Sequence, residues 1–271
     1  MGGLNAPFSR SVPVTVVIAA RNEAANVAAC VQSVQWAAEV LVVEDGSTDQ
    51  TSQIAASQGA RIVTNTFTTI GAQRNAAIAQ AVHDWVLVLD ADERAPLDLA
   101  TEIQRVVGAT APAVRAWRIS RRNYFFGREI RHGGWERDRP VRLFTRDHRY
   151  SDDPVHEHVV TSGAPGDLRA RLTHTPYVSL DAYFEKLGRY SRDWAQQHFA
   201  RGRRASPLHV LVKPPARFMS MYVARGGWMD GGHGLILAML AATSVAAKYA
   251  HLWSLTRQTR RGERTGIGAA S

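Results

Sequence analysis

The sequence predicts an α/β fold, a mostly parallel sheet flanked by helices, followed by a helical appendage. Two patterns carry that expectation. Through the first 110 residues, short β-branched apolar runs alternate with single helical segments, and each run is apolar throughout rather than at every second position. Such strands are buried on both faces, as in a parallel sheet covered by helices. The third observation is a charge split: residues 1–112 carry 6 basic and 11 acidic side chains, residues 113–271 carry 27 and 13. Only Lys186, Lys213 and Lys248 among the 33 cations are lysines, so the basic half is almost entirely guanidinium, a fork that suits phosphate and carboxylate.

Taken in order, Val14–Ala19 reads as a buried strand, and Asn22 as the cap of a helix with Val27, Cys30, Val31 and Val34 at helical spacing. Val40–Val43 is a second strand. Ser47 and Gln50 then form a capping-box pair ahead of a helix containing Ile54 and Ala55, ended by Gly59. Arg61–Val63 is a third strand, Ala72–Ala81 an alanine-rich helix, and Trp85–Leu89 a fourth strand that runs into Asp-Ala-Asp-Glu. Leu97–Val107 is a helix stopped by Gly108. Ligands in such sheets bind beyond the carboxyl ends of the strands, so residues 20–23, 44–47 and 90–93 should share one rim.

Beyond residue 113 the rhythm changes. Val114–Ser120, Val141–Thr145 and His156–Thr161 read as strands, and the Arg- and Gly-rich stretch with Tyr124, Phe125, Phe126 and Trp135 as a long loop or lid. Tyr183, Leu187, Tyr190, Trp194 and His198 form a helical stripe expected to be a packing seam. Leu235–Ala247 is apolar and free of charge but shorter than the roughly 20 residues of a spanning helix. Arg217, Arg225, Trp228, Lys248, Tyr249, His251 and Trp253 flank it, which suits a helix lying in a membrane surface. Residues 256–271, with Arg257, Arg260, Arg261 and Arg264, read as a disordered tail.

Composition removes several classes. A hydrophobic content of 45% is too high for a disordered chain. One cysteine, Cys30, makes no internal disulfide and reads as a small apolar residue on a helix face. The apolar run at Val14–Ala20 ends in Arg-Asn-Glu, not in a cleavage site, so no signal peptide is expected. No Gly-Lys-Ser/Thr phosphate loop or Gly-X-Gly-X-X-Gly fingerprint is present.

The sharpest chemical signal is Asp90 and Asp92, at the end of a central strand with Glu93 beside them. Like charges about 4 Å apart cost roughly 4 kcal/mol at an effective dielectric near 20, so converging carboxylates call for a cation. Mg²⁺ or Mn²⁺ meets that need and leaves positions for diphosphate oxygens. Asp45, ending the second strand, offers acceptors to a base N–H, and Gly46 permits a tight turn beside it.

These residues resemble a known family. VVIAARNEAANV, VVEDGSTDQT, GAQRN and VLVLDADE, in that order and spacing, are similar to the family 2 inverting glycosyltransferases of the GT-A fold. VRLFTRD followed by VHEH, LTHTPY with KLGRYS, and GGWMDGGHG resemble a branch acting on bacterial lipopolysaccharide core and capsule, including glucosyltransferases that act on heptose. The resemblance implies a nucleotide-sugar pocket lined by Ala20, Arg21 and Glu23, with Asp45 on a uracil-type base and Arg74 on the nucleotide or its phosphates. Asp92 would bind the metal, and Asp90 the ribose, a metal-bound water or the metal itself. His174 would be a further ligand to metal or diphosphate. Glu44 stands where the family often has Asp.

The inverting reaction needs a base for the acceptor hydroxyl. Asp152, Asp153 and Glu157 are candidates, with Glu157 preferred because the branch carries a His-Glu pair after its Arg-Leu-Phe strand, and Asp153 second. Arg139, Arg142, Lys186 and Arg189 are candidates to neutralise diphosphate. The partners implied are a UDP-sugar donor, a saccharide or lipid-linked acceptor, and the inner face of the cytoplasmic membrane. The expected layout is an extension over 1–12, a GT-A domain over 13–178 (nucleotide-sugar binding in 13–110, acceptor and catalysis in 111–178), a helical region over 179–255 and a basic tail over 256–271. Three rival classes fit worse. A nucleotidyltransferase wants a Gly-rich loop where Ala-Ala-Arg-Asn-Glu stands, and an Asp-X-Asp phosphatase wants Thr or Val at Arg94. A nucleic-acid binder wants cations clustered with aromatics on a module.

Overall fold

The computed structural model describes residues 11–64, 66, 69–109, 112–151, 157–177 and 179–266, with side chains through residue 259. In chain order the elements are β1 (Val12–Ala20), α1 (Val27–Ser33), β2 (Ala37–Glu44), α2 (Thr51–Ser57), β3 (Arg61–Thr64), α3 (Ile70–Ala79), β4 (Trp85–Asp90), β5 (Glu93–Arg94), α4 (Leu97–Val107) and β6 (Ala116–Arg118). There follow β7 (Arg121–Phe125), β8 (Arg128–Ile130), β9 (Val141–Thr145), β10 (Arg149–Tyr150), β11 (Val159–Val160), β12 (Gly166–Asp167), β13 (Leu172–His174), α5 (Leu180–Ala200), α6 (Pro207–Met219) and α7 (Gly231–Gly266). Two compact units result: residues 1–122 with 137–175, and residues 123–136 with 176–271.

The first unit is the expected α/β layer structure. Its sheet runs β12-β6-β9-β4-β1-β2-β3, with β1 parallel to β2 and β4, β2 parallel to β3, and β9 antiparallel to both β4 and β6. The continuous apolar runs follow from two cores, because successive side chains face opposite ways. Val16, Ile18, Leu87 and Leu89 join α1 and α4 on one side, while Val17, Val43, Val86 and Val88 join Ala77 and Ile78 of α3 on the other. Cys30 is fully buried in the first core, and burial pushes its thiol far above the ordinary range. α4 begins and ends at the residues its pattern predicts, Leu97 and Val107.

Two caps are formed differently from expectation. Asn22 adopts a left-handed φ of 55° and does not cap α1; its Oδ1 accepts from the Thr48 amide at 2.8 Å. Ser47 Oγ accepts from the Asn22 amide at 3.0 Å rather than closing a capping box, and Asp49 Oδ1 accepts the Thr51 amide at α2 at 3.0 Å. Both polar side chains are used to join the loops after β1 and β2, a demand that outranks local capping.

The second unit holds the β7–β8 hairpin from Asn123 onward and the C-terminal helices. The segment expected to be a lid is this hairpin, turning at Phe126 and Gly127, both with positive φ. Its Phe125 and Ile130 pack with Tyr183, Met221, Leu237 and Leu240. Asp230, 4% exposed, accepts the backbone amides of Arg131 and His132 and faces His132 Nδ1 at 3.1 Å. Two glycines of the GGWMDGGHG run are sterically required: a Cβ on Gly227 would meet the Met221 carbonyl oxygen at 2.7 Å, and one on Gly234 would collide with the Gly227 carbonyl oxygen. In the α5 stripe Tyr183 and His198 are buried and Leu187 packs on the core, but Tyr190 is exposed, with the Arg189 guanidinium over its ring.

α7 extends well past the charge-free segment at both ends, and its backbone is helical through Gly266, so the expected tail begins inside a helix. Residues 227–259 contain an 18-residue window of mean hydropathy 1.5 with only 22% of it buried, long and apolar enough to cross a membrane. Lys248 and its neighbours do not interrupt the helix, so it is longer than its charge-free run.

Candidate functional site

The carboxyl ends of β1, β2 and β4 lie side by side, since Ala20 is in register with Glu44 and Ala19 with Asp90. The loops beyond them are laced together: the Glu23 amide donates to Thr51 Oγ1 at 2.9 Å and the Ala24 amide to Asp49 Oδ2 at 3.1 Å. Ala20 is buried at the strand end, and Arg21 is exposed with a guanidinium nitrogen 3.8 Å from Asp45. Glu23 accepts from Asn26 Nδ2 at 2.7 Å, so its carboxylate holds the entrance to α1. Glu44 is buried and accepts the Ser47 amide, closing the turn at Gly46, whose φ of 63° favours glycine.

Asp90 is the hub of a charge cluster. Its Oδ1 takes Arg74 at 2.6 Å, and its Oδ2 takes Arg142 at 2.5 Å and Arg121 at 2.9 Å. Glu93, with no exposure, accepts from Arg121 Nε at 2.5 Å and Arg142 at 3.2 Å, and its other oxygen accepts the Asp90 amide at 2.8 Å. Burial works against the Asp90 anion, but Arg142, Arg74 and Arg121 outweigh it and hold the carboxyl well below the usual carboxylate range. The same carboxylates raise Arg142 against the opposing effect of its burial. Topology explains the meeting: β9 runs antiparallel to β4, which brings Arg142 near its start back beside the end of β4.

Asp92 and His174 form a second cluster, Nε2 to Oδ1 at 3.5 Å. β13 pairs antiparallel with β5, setting His174 opposite Glu93, and the Thr175 amide donates to the Asp92 carbonyl at 3.0 Å. Glu157 lies across from Arg74 at 3.4 Å, and Arg74 also covers the Tyr150 ring at 4.9 Å. Asp152, Asp153 and His156 lie outside the described residues. Arg139 is exposed in the first unit, while Lys186 and Arg189 belong to α5 of the second. Among the described residues no three His, Cys, Asp or Glu side chains stand close enough together to hold a metal on their own. Asp92 and His174 do supply a carboxylate and an imidazole side by side, a donor set that fits a divalent ion completing its shell with water and phosphate oxygens.

Sequence reasoning missed Arg121, Glu93 as a buried acceptor, and Asn75. Asn75 Nδ2 donates to the Tyr150 carbonyl at 3.0 Å and its Oδ1 accepts the Tyr150 amide at 2.8 Å, mimicking a strand partner. The Asn in GAQRN was the available signal. The Gly in the same motif also has a steric reason: a Cβ on Gly71 would meet the Ser151 carbonyl at 2.8 Å, with Glu157 Cβ at 3.6 Å. Gly71→Ala is expected to cost about 1–3 kcal/mol in denaturant unfolding and to lower activity by displacing the Glu157 segment; a neutral change would show that the segment moves freely.

The model of glycosyl transferase family 2 matches residues 15–163, more than half of the chain. A lipopolysaccharide core biosynthesis glycosyltransferase, LpsC of Rhizobium meliloti, is 30% identical over 85% of this chain and 88% of its own. An uncharacterized glycosyltransferase of Rickettsia typhi is 23% identical over 91% and 89%. Among solved structures, glucosyl-3-phosphoglycerate synthase from Mycobacterium tuberculosis with Mn²⁺, UDP and phosphoglyceric acid matches at TM-score 0.36 and 22% identity. That match covers 42% of this chain and 44% of the synthase, so the chain spans less than half the length of that structure.

Proposed function

The chain belongs to glycosyltransferase family 2, and from that premise we propose that it moves a hexose, such as glucose, from a UDP-sugar to a saccharide or lipid-linked acceptor of the bacterial cell envelope, with inversion. The relationship to the lipopolysaccharide core enzyme supports the envelope setting. The observation that carries the site assignment is Asp92 facing His174 at 3.5 Å beyond the central strand.

A divalent ion, Mg²⁺ or Mn²⁺, held by Asp92 and His174 would supply a Lewis acid for the departing diphosphate. Asp45 accepts an N–H of the base at the rim, beside the backbone at Ala20 and the Arg21 side chain, and Glu23 keeps that loop in place. Asp90, with its oxygens committed to Arg74, Arg121 and Arg142, orders those guanidiniums, and Arg74 and Arg142 neutralise phosphate charge. Glu157 takes the proton of the acceptor hydroxyl as that oxygen attacks the anomeric carbon. The bond to the diphosphate breaks on the opposite face of the sugar, which inverts the centre. The protein works at the inner face of the cytoplasmic membrane, with α7 supporting peripheral contact.

The test is a screen of UDP-, GDP- and dTDP-sugars with Mn²⁺, read as release of the nucleoside diphosphate. Glu157→Gln is expected to lower kcat about 10²- to 10⁴-fold with donor KM little changed. If Asp153→Asn shows that loss and Glu157→Gln does not, the base is Asp153.

A further inference from the structure

The second unit contains a pocket of about 610 Å³ whose lining combines the aromatics Trp135, Trp194 and Tyr249 with the cations Lys213, Arg217 and Lys248. No carboxylate lines it. Lys213 and Arg217 are four residues apart on one face of α6, and Ala241, Ser244, Val245 and Lys248 line it from one face of α7. Three like charges facing one cavity repel one another, and among the described residues no salt bridge relieves any of them. Burial and Arg225 lower the Arg217 pKa, and burial and Arg217 lower that of Lys248. The cost is recovered when an anion enters.

The surface of the same two helices identifies the anion's carrier. Leu208, Leu211 and Val212 on α6 and Leu235, Ile236 and Met239 on α7 are exposed, Leu211 by 72%. A water-soluble phosphate has no use for such a surface, whereas acyl chains do. The volume suits a headgroup, and the aromatic wall suits the interfacial level of a membrane. We propose that this pocket binds the phosphate headgroup of an anionic lipid, with Lys213, Arg217 and Lys248 as its counter-charges, while the exposed apolar residues, on the faces of α6 and α7 turned away from the pocket, contact the surrounding acyl chains of the membrane. The site deepens the membrane part of the reading above, rests on it, and is independent of the donor chemistry.

The experiment titrates the full chain with monomeric dihexanoyl phosphatidic acid and follows tryptophan fluorescence, since Trp135 and Trp194 line the pocket. Dihexanoyl phosphatidylcholine and inorganic phosphate are the comparison ligands. Sedimentation with vesicles of equal parts phosphatidylcholine and phosphatidylglycerol reads membrane contact separately. Saturable binding of phosphatidic acid is expected, weakened about tenfold or more in Arg217→Gln/Lys248→Gln, with UDP-sugar turnover retained. Lys213→Gln, at an exposed position, provides a milder variant should the double one fold poorly. Undiminished affinity in both variants overturns the site. Inorganic phosphate binding as tightly as the lipid overturns the lipid assignment. Vesicle binding without phosphatidic acid binding leaves the membrane contact standing and overturns the pocket.

Discussion

Asp92→Ala is expected to lower UDP-sugar turnover about 10²- to 10³-fold while leaving unfolding within about 1 kcal/mol of the parent chain. The size follows from the several kcal/mol of charge stabilisation that a bound divalent ion supplies to a departing diphosphate. The stability claim follows from geometry. The Asp92 side chain reaches His174 at 3.5 Å, a long contact, and the hydrogen bond tying this loop to Thr175 uses the Asp92 backbone carbonyl, which alanine keeps. Chelation of the wild type should reproduce the loss, and His174→Ala should produce a smaller one. Full turnover in Asp92→Ala, or in chelator, would remove the metal from the proposal.

Glu93→Gln is expected to do the opposite, costing about 3–5 kcal/mol of stability, because it removes the charge from a fully buried partner of Arg121 and Arg142. Denaturant midpoints measure it, and a loss below about 1 kcal/mol would mean that Asp90 alone compensates both guanidiniums. The same cluster sets an acid limit. Asp90 has a folded pKa below its unfolded value of about 3.9, so between the two the unfolded chain binds more protons and stability falls as pH falls. The contribution is therefore complete above about pH 5 and is lost progressively as pH drops toward the folded value. Unfolding free energies that do not decline from pH 5 to pH 3 would contradict the cluster's role.

The difference between these two substitutions, at neighbouring acids in one motif, shows where sequence stops. In Asp-Ala-Asp-Glu the residue types alone do not separate the three carboxylates; the resemblance implies metal for Asp92 and the ribose, a metal-bound water or the metal for Asp90. Their neighbours separate them: Asp90 meets three arginines, Asp92 meets a histidine, and Glu93 takes Arg121 and Arg142 on one oxygen and the Asp90 amide at the end of β4 on the other. The arginines and the histidine all lie more than 15 residues from the acids they meet, and they arrive on α3 or by strand registers that no local pattern encodes. Asn22 and Ser47 misled for the same reason. Each has the chemistry of a cap, and each is used instead by the other's loop.

What the sequence determined by itself was everything that burial periodicity and short-range stereochemistry control. The strands of the parallel half, the helix over Leu97–Val107, the rim at the ends of β1, β2 and β4, and the family were all legible there, because an apolar run or a glycine at a turn acts within its own segment. Tertiary structure decided the rest: the antiparallel return of β9 with Arg142, the β5–β13 pairing that sets His174 beside Asp92, the hairpin in place of a lid, and the cationic pocket between α6 and α7. Those features depend on which distant side chains meet across a register or a helix crossing, and the free energy that selects them exists only once the chain has closed on itself.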